Sequence, residues 1–279
     1  MMEGKPHVTK EDIKRGLRSV GLGEGDVVFV HSSLSSFGYV VGGADTVIDA
    51  LLEVVSRSGT VVMPTFTWSL FHDKEEVLFD VARTPVKSEV GIIPEVFRNR
   101  KEAIRSCHIC HSVAAIGPHA EDVMGEGIRS FGEGSTFHQL YKLDSWYLLL
   151  GVGFSVCTAL HMVEEFMQVP YRYYRDFKRS KVILPDGRVV PSKSVEFLRK
   201  KGYYNDFEKM ERIFLKEGIL RICKVGNARI INAKIRDIFN VTRRYMESDI
   251  GFLLTPESRT LLRKEYKKRV KSPIEGEDI

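Results

Sequence analysis

Three residues of one segment have the types and the spacing that proton transfer requires. In LLLGVGFSVCTALHMVEE (148–165), His161, Glu164 and Glu165 follow one another at i, i+3 and i+4, so on a helix both carboxylates lie on the side of the imidazole. A carboxylate-supported imidazole accepts protons near neutral pH, because the carboxylate raises its basicity and fixes its tautomer. From spacing alone, a partly buried structural histidine with solvated glutamates is a slightly simpler interpretation.

A second segment, RSCHICHS (105–112), contains the pattern Cys-x-x-Cys-His. This pattern is typical of covalent haem attachment, of a redox dithiol or of half a zinc site. The remaining cysteines, Cys157 and Cys223, are isolated from any second pair of ligands, and a strand follows the motif where a redox motif normally opens a helix. We therefore interpret the cysteines as small apolar side chains and expect neither a metal nor a haem.

Two polar segments follow predicted strands, at the positions where open α/β sheets bind ligands. The loop HSSLSSFGYVVGG (31–43) offers hydroxyls and backbone N–H groups that suit a phosphate or an amide, although a plain serine-rich connection is as good an interpretation. The loop has neither the glycine pattern of dinucleotide sites nor a Walker motif. The stretch after PTFTW (64–68) carries acidic residues that suit a cationic substrate or simply form an exposed loop, namely Asp73, Glu75 and Glu76.

The elements that must position these residues alternate between strand and helix over the first 150 residues. Apolar strand patterns occur at 26–30, 59–64, 112–116 and 146–150, and helical patterns at 9–20, 44–57 and 92–99. This alternation predicts an α/β layered fold with a largely parallel central sheet. The second half predicts an added mixed or antiparallel part, from a hairpin at 181–190, a helix at 206–217, paired strands at 221–233 and a helix at 233–246.

The composition of the 279 residues is that of an ordinary globular protein, with 43% hydrophobic and 28% charged residues. No apolar run approaches the roughly 18 residues of a membrane span, and the start of the chain lacks the apolar segment of a secretory signal. We expect a cytoplasmic protein that binds neither membrane nor nucleic acid. The net charge of +5 is concentrated near the end of the chain, as in 259–271, which we interpret as a solvated helix.

Taken together, HSSLSSFGYVVGGADTVIDALLEVVSRSGTVVMPTFTW, RSCHICHSVAAIG and LLLGVGFSVCTALHMVEE resemble the aminoglycoside 3-N-acetyltransferase family, antibiotic acetyltransferases that use acetyl-CoA. The similarity runs from about residue 10 to residue 245 and includes KVGNARIINA, so we expect one domain over 1–279 with a basic helical tail at 246–279. Arg105, Ser106, His108 and Ser112 match the family motif Arg-Ser-x-His-Pro-x-x-Ser-x-Ala-x-Gly, with Ile109 in place of the proline. Both cysteines fall at variable positions of that motif, which makes Cys-x-x-Cys-His a coincidence.

The resemblance implies an acetyl-CoA-dependent N-acetyltransferase that acts on the 3-amino group of an aminoglycoside by direct transfer. It implies that His161 is the general base and that Glu164 in Thr-x-x-His-x-x-Glu supports it. For the developing oxyanion, the candidates are Thr158 and the backbone N–H groups near Gly151 and Gly153. Cys157 is then a structural residue and not an acyl-accepting nucleophile. Residues expected at the acetyl-CoA site are His31, Ser32, Ser33, Leu34, Ser35, Ser106 and His108. Residues expected to face the cationic amine are Asp73, Glu75, Glu76 and Glu165.

Other possibilities follow from the same residues. The basic segment YRYYRDFKR (171–179) suits the phosphates of CoA, or else an acceptor such as an amino sugar or a sugar-nucleotide precursor. A non-catalytic CoA-binding relative is a further alternative, against which the presence of His161 and Glu164 argues. If His161 is structural, His31 and His108 are the next candidates for the base. The expected partners are CoA and a small-molecule amine, with a homodimer as a possible assembly.

Overall fold

The computed structural model describes residues 7–71, 74–126 and 128–271 and arranges them in a mixed α/β fold. The strands are β1 His7–Val8, β2 Val27–Ser32, β3 Tyr39–Val40, β4 Thr60–Pro64, β5 Leu78–Asp80, β6 Ile104–Arg105, β7 Val113–Ile116, β8 Trp146–Leu150, β9 Arg172–Asp176, β10 Lys181–Ile183, β11 Val189–Pro191, β12 Val195–Arg199, β13 Arg221–Val225 and β14 Ala228–Lys234. The α-helices are α1 Lys10–Ser19, α2 Gly43–Val55, α3 Trp68–Phe71, α4 Lys87–Val90, α5 Ile92–Arg98, α6 Ala120–Met124, α7 Thr136–Lys142, α8 Ala159–Phe166, α9 Lys209–Lys216, α10 Ile235–Ser248 and α11 Pro256–Lys271. Short 3-10 helices span Leu34–Phe37 and Phe154–Val156.

The central sheet has seven strands in the order β13-β14-β8-β2-β4-β7-β6. The pairs β8–β2 and β2–β4 are parallel, whereas the other neighbours in this sheet are antiparallel. Parallel pairing is therefore confined to the three central strands, and the largely parallel sheet that the sequence predicts is not observed. The long connection from β4 to β6 and β7 lets β7 return antiparallel, and β13 with β14 adds a hairpin at the opposite edge.

Helices cover both faces of this sheet. Along β2, Val28 and Val30 pack into a core that contains residues of α1, α2 and α5, while Val27 and Phe29 pack into a core with residues of α7, α8 and α10. The alternation of a strand's side chains between its two faces explains why β2 is apolar throughout. Both faces of β2 are therefore covered.

The second half adds smaller sheets that carry residues of the candidate site. Strand β9 pairs with β12 antiparallel, and the predicted hairpin joins β10 to β11, with β5 parallel to β10. The antiparallel and mixed character predicted for this half is confirmed. Strand β9 carries Arg172 and strand β12 carries Glu196. Because these two strands pair, both residues reach the region around α8 although they are far apart in the chain.

The basic segment near the end of the chain, which we interpret from the sequence as a solvated helix, lies in α11, and residues 272–279 lie outside the described part. Among the helices that the structure describes, none combines the length and the apolar character that crossing a bilayer requires.

Candidate active site

His161 lies on α8 and is held by a buried carboxylate. Its Nδ1 is 2.6 Å from Oε2 of Glu164, which follows three residues later on the same helix. Oε1 of Glu164 accepts hydrogen bonds from the Tyr171 hydroxyl at 2.9 Å and from Asn205 Nδ2 at 2.6 Å. Arg172 Nε lies 2.8 Å from Oε2, and the carboxylate has no solvent exposure. A buried charge needs such partners, and Glu164 has them on both oxygens.

The environment determines which groups are ionised. Burial opposes the charge of Glu164, but Arg172 and the hydrogen bond with His161 outweigh it and lower the pKa of this carboxyl to about 2. The pKa of His161 is lowered to about 4, first by burial and then by the charge of Arg172, against the opposing effect of Glu164. At neutral pH the pair is therefore an ionised carboxylate beside a neutral imidazole.

Two contacts of Nδ1 bear on the tautomer of His161, and we assign the tautomer from the one with Glu164. Arg172 Nη2 lies 2.8 Å from the same Nδ1 that contacts Glu164, and two donors cannot share one hydrogen bond. The 2.6 Å contact with an ionised carboxylate places the proton on Nδ1, since a bare nitrogen there would face the negative oxygen. Nε2 then carries the lone pair, and with 21% of the side chain exposed it is reachable. A neutral imidazole so oriented is a proton acceptor.

A pocket of about 270 Å³, here called the His161 pocket, opens at this imidazole. The rings of Phe131 and Phe207 pack against the imidazole with centroid distances of 5.3 and 4.9 Å. The pocket is lined by Ser155, His161, Arg199, Asn205, Asp206, Phe207 and Glu208. The carboxylates of Asp206 and Glu208 make this pocket favourable for cations, and the positive charge of Arg199 reduces the effect.

A larger cleft of about 830 Å³, here called the serine cleft, lies next to the His161 pocket, and Ser155 lines both. It brings together five residues that the sequence predicts for a ligand site, namely His31, Ser32, Ser33, Leu34 and Ser35. The Ser32 hydroxyl is buried without a hydrogen-bond partner among the described residues. Burial without a partner is unfavourable for a hydroxyl, so this one is available to a ligand.

Gly151 lets the serine segment pack against the end of β8. Its φ is +70°, and a Cβ there would lie 2.5 Å from Cβ of Ser36. Only glycine adopts this conformation without strain and leaves room for the segment. The imidazole of His31, at the end of β2, is neutral, because burial and then His111 lower its pKa to about 3.

Ser106 and His108 are not brought to the serine cleft, contrary to expectation. Ser106 Oγ accepts a hydrogen bond from the Val113 backbone N–H at 3.0 Å, and His108 Nδ1 accepts from those of Cys110 and His111 at 3.2 and 3.1 Å. Both side chains are buried and hold the turn between β6 and β7. Burial lowers the pKa of His108 to about 4, so this imidazole is neutral.

The acidic residues expected to face the amine do not gather in the His161 pocket. Asp73 lies outside the described residues. Glu75 and Glu76 are exposed and belong to the lining of neither cavity, and Glu75 is 3.4 Å from Arg179. Asp206 and Glu208 occupy that place instead. In the sequence they resemble the acidic start of a helix, so the sequence gives no signal for their role.

Glu165 belongs to a different cavity. It is buried, its Oε1 accepts a hydrogen bond from the Tyr174 hydroxyl at 3.2 Å, and it lines a cavity of about 390 Å³ that also includes Phe131. Burial raises the pKa of this carboxyl. Glu164 alone of the two adjacent glutamates contacts His161.

Thr158 and Cys157 precede α8 and are both buried. Thr158 Oγ1 lies 3.3 Å from His31 Nε2 and 3.3 Å from the Val156 carbonyl oxygen, so it links the start of α8 to the end of β2. The pKa of Cys157 is raised to about 12 by burial, and its thiol therefore stays protonated at neutral pH. This supports the interpretation of Cys157 as structural, because the thiolate is the nucleophile.

The Cys-x-x-Cys-His segment forms part of a hydrogen-bonded turn. Cys107 is exposed, Cys110 is buried, both are free thiols, and burial raises the pKa of the Cys110 thiol. Possible ligand atoms of His108, Cys110 and Glu196 lie within 4.8 Å of one another. However, Glu196 Oε2 is bonded to His111 Nδ1 at 2.8 Å and to Ser130 Oγ at 2.6 Å, and His108 Nδ1 is engaged by backbone N–H groups. The arrangement fits a hydrogen-bond network better than an open set of metal ligands.

The sequence does not predict which residues contact Glu164. Tyr171 and Arg172 belong to the basic segment 171–179, which suggested phosphate binding, yet no residue of that segment lines the serine cleft. Asn205 reaches the carboxylate from a loop 41 residues away. No local spacing indicates these contacts.

Comparison with known proteins identifies a family. The family model described as aminoglycoside 3-N-acetyltransferase matches residues 29–247. A Bacillus subtilis (strain 168) relative, the SPbeta prophage-derived aminoglycoside N(3')-acetyltransferase-like protein YokD, is 34% identical over 79% of this chain and 85% of its own length.

Solved structures agree with the fold as well. The complex of AAC-IIIb with CoASH is 25% identical, with a TM-score of 0.77 over 87% of this chain and 97% of that one. A mutant of aminoglycoside acetyltransferase AAC(3)-IVa in complex with apramycin is 25% identical, with a TM-score of 0.71 over 89% and 95%. Since the family model matches well over half of its residues, this chain belongs to the aminoglycoside 3-N-acetyltransferase family and is an acyltransferase.

Proposed function

We propose that this chain, acting as one domain, transfers the acetyl group of acetyl-CoA to an amine, the 3-amino group of an aminoglycoside, with His161 as the general base. One observation carries the proposal: Oε2 of the buried Glu164 lies 2.6 Å from Nδ1 of His161, at a pocket that adjoins the serine cleft. We assign the proton to Nδ1, which leaves the lone pair on Nε2. The binding of CoASH by AAC-IIIb and of apramycin by AAC(3)-IVa supports it.

The serine cleft is the proposed site of acetyl-CoA. Acetyl-CoA supplies the activated thioester, and the residues of the cleft hold and orient it. The Ser32 hydroxyl, buried without a partner, is the donor that we assign to a carbonyl oxygen of the acetyl or pantetheine part. Ser33 and Ser35 line the cleft beside it, and His31 contributes a neutral ring. No metal is needed, because the thiolate of CoA is itself an adequate leaving group.

The amine must lose a proton before or during attack, since an ammonium has no lone pair. In the proposed step, the nitrogen attacks the thioester carbonyl, His161 Nε2 accepts the nitrogen's proton, and the C–S bond breaks to release CoA. Glu164 stabilises the imidazolium that forms. Thr158, close to His31 at the start of α8, is our candidate for donating a hydrogen bond to the developing oxyanion.

The His161 pocket is the proposed entrance for the amine. Asp206 and Glu208 suit the cationic groups of an aminoglycoside and take the role that the sequence gave to the 73–76 loop. Arg199 in the same lining supports a second candidate, an amino sugar that carries an anionic group, such as a sugar-nucleotide precursor.

The test is a thiol-release assay with acetyl-CoA and a panel of aminoglycosides and amino sugars. We expect release with aminoglycosides, and Ser32→Ala should raise the KM for acetyl-CoA more than it lowers kcat. Acetyl-CoA at 100 times its Kd should raise the melting temperature by roughly 5–10 °C, because a ligand that binds only the folded state stabilises it. Failure of acetyl-CoA at millimolar concentration to shift the melting temperature would contradict the proposal. Release only with anionic amino sugars would favour the second candidate.

A further inference from the structure

We propose that the cavity lined by Glu165 is a second binding site and that it takes a small monoamine with an aromatic body. This cavity, here called the Glu165 cavity, has a volume of about 390 Å³. It shares no lining residue with the serine cleft or with the His161 pocket. The proposed reaction does not use this cavity, so the inference does not depend on the proposed function.

The two oxygens of the Glu165 carboxyl have different surroundings. The residue is 2% exposed, and its Oε1 accepts a hydrogen bond from the Tyr174 hydroxyl at 3.2 Å and lies 3.7 Å from Nη1 of Arg129. Oε2 is buried and has no hydrogen-bond partner among the described residues. Because a buried acceptor without a donor is unfavourable, Oε2 is the atom that a ligand can satisfy.

The surrounding residues hold the carboxyl in this position. A Cβ at Gly132 would overlap Oε1, so a larger residue there would displace the carboxyl. The guanidinium carbon of Arg129 lies 5.0 Å from the centre of the Tyr174 ring, which keeps both groups beside the same oxygen. All of these contacts involve Oε1. They fix the carboxyl and leave Oε2 without a donor.

A positively charged donor suits this carboxyl best. Burial raises the pKa of Glu165, and the Tyr174 hydroxyl and Arg129 counteract burial only in part. An ammonium group would supply both the missing hydrogen bond and more of the missing positive charge. A divalent metal ion takes several oxygen ligands, and among the described residues no cluster of possible metal ligands includes Glu165.

The aromatic side chains of the lining suit a ligand with an aromatic body. The Phe239 ring packs against those of Tyr141 and Phe166, with centroid distances of 5.1 and 5.3 Å, and all three line the cavity. Phe166 is 59% exposed, so a ring bound in the cavity would cover apolar surface that now faces solvent. The cavity volume falls within the range of small-ligand pockets, about 300–1,000 Å³.

The charges of the lining favour one ammonium group over several. Arg129 and Arg243 balance the carboxyls of Glu133 and Glu165, so the lining has no net negative charge. Burial lowers the pKa of His138, which is therefore neutral at pH 7 and neither attracts nor repels a cation. A single ammonium can pair with Glu165, whereas further ammonium groups would approach the arginines. The expected ligand thus differs from an aminoglycoside, which carries several amines.

Calorimetric titration of phenethylamine and 2-phenylethanol, which share a ring and differ in the amine, tests the inference. In the wild type we expect the amine to bind about 10–100-fold more tightly than the alcohol, the usual worth of a hydrogen bond to a charged group. Glu165→Gln should remove this difference. Phe166→Ala should weaken both ligands alike, because both lose the same contact with the ring. Asp206→Asn is the matched control, since it removes a carboxylate of the His161 pocket instead, and it should leave both affinities unchanged.

The inference is overturned if the wild type binds phenethylamine no more tightly than 2-phenylethanol, or if Glu165→Gln retains the preference for the amine. Loss of that preference in Asp206→Asn alone would place phenethylamine in the His161 pocket and would also overturn it. Should Glu165→Gln not fold, Phe166→Ala decides: weaker binding of both ligands supports the inference, and unchanged binding overturns it. None of these titrations measures acetyl transfer, so this inference and the proposed function can fail separately.

Discussion

Replacing Glu164 by glutamine separates the structural role of this residue from the catalytic role that we propose for it. Glu164→Gln keeps the size of the side chain but removes a buried charge that Arg172 and His161 both contact. The Arg172 side chain is only 6% exposed, so its own charge is left buried without a counterion. Removing one partner of a buried ion pair costs about 3–5 kcal/mol of stability. At about 2–4 °C per kcal/mol, the melting temperature should fall by roughly 10 °C.

The same change should slow the proposed reaction. Two unit charges about 4 Å apart interact by about 4 kcal/mol at an effective dielectric constant near 20, and this interaction with the imidazolium is lost. That is an upper limit of about 10³-fold in turnover, since 1.36 kcal/mol corresponds to a factor of ten. The amide still accepts a hydrogen bond from Nδ1, so we expect a loss of about 10–10³-fold, which is smaller than that of His161→Ala.

A double variant tests the reasoning. In Glu164→Gln with Arg172→Met, the unpaired guanidinium is gone, so most of the lost stability should return, whereas turnover should not. Calorimetric melting and the thiol-release assay measure the two quantities on the same samples. If Glu164→Gln melts like the wild type, the buried ion pair is not as described. If it turns over like the wild type while folded, Glu164 does not support the base.

Three further predictions can be measured. His161→Ala should lower turnover by about 10²–10⁴-fold with acetyl-CoA binding retained, and higher pH should restore part of it by deprotonating the amine; near-normal turnover would mean that the base lies elsewhere. The free energy of unfolding should fall as the pH drops from about 6.5 to 4. The folded pKa values of His31, His108 and His161 (about 3, 4 and 4) lie below the unfolded value of 6.5, so the unfolded chain binds the protons. Urea unfolding with the same free energy at pH 7 and pH 5 would refute this prediction. Cys157→Ala should keep turnover within a few-fold, and its loss in a protein that still folds and binds acetyl-CoA would revive a thiol nucleophile.

The sequence predicts what depends on neighbours along the chain. His161 and Glu164 are three residues apart on a helix, and their contact follows from helical spacing alone. The serine segment is likewise continuous, so its five residues share one cleft once β2 ends beside it. The capping box of α1, in which Thr9 and Asp12 bond to each other's backbone N–H groups, likewise depends only on local spacing.

Contacts between residues far apart in the chain cannot be predicted from local spacing. Glu196 meets His111 across 85 residues, and that contact makes the 106–112 turn part of a buried network. The family motif brought His108 to attention as a cofactor-binding residue, but only the tertiary structure shows that backbone N–H groups already occupy its Nδ1. The direction of β7 is also undetermined by its own residues, because a strand buried on both faces has the same pattern in parallel and antiparallel pairs.

The guanidinium beside His161 at first opposes the function proposed for this histidine. Arg172 lowers the pKa of the imidazole and so makes it a weaker base. Without Arg172, however, burial would raise the pKa of Glu164, and a protonated Glu164 could not hold the proton of His161 on Nδ1. A weak base is sufficient here, because an amine nitrogen becomes strongly acidic once it has bonded to the carbonyl carbon. Arg172 therefore keeps Glu164 ionised and His161 neutral, and the proton acceptor is vacant whenever an amine arrives at neutral pH.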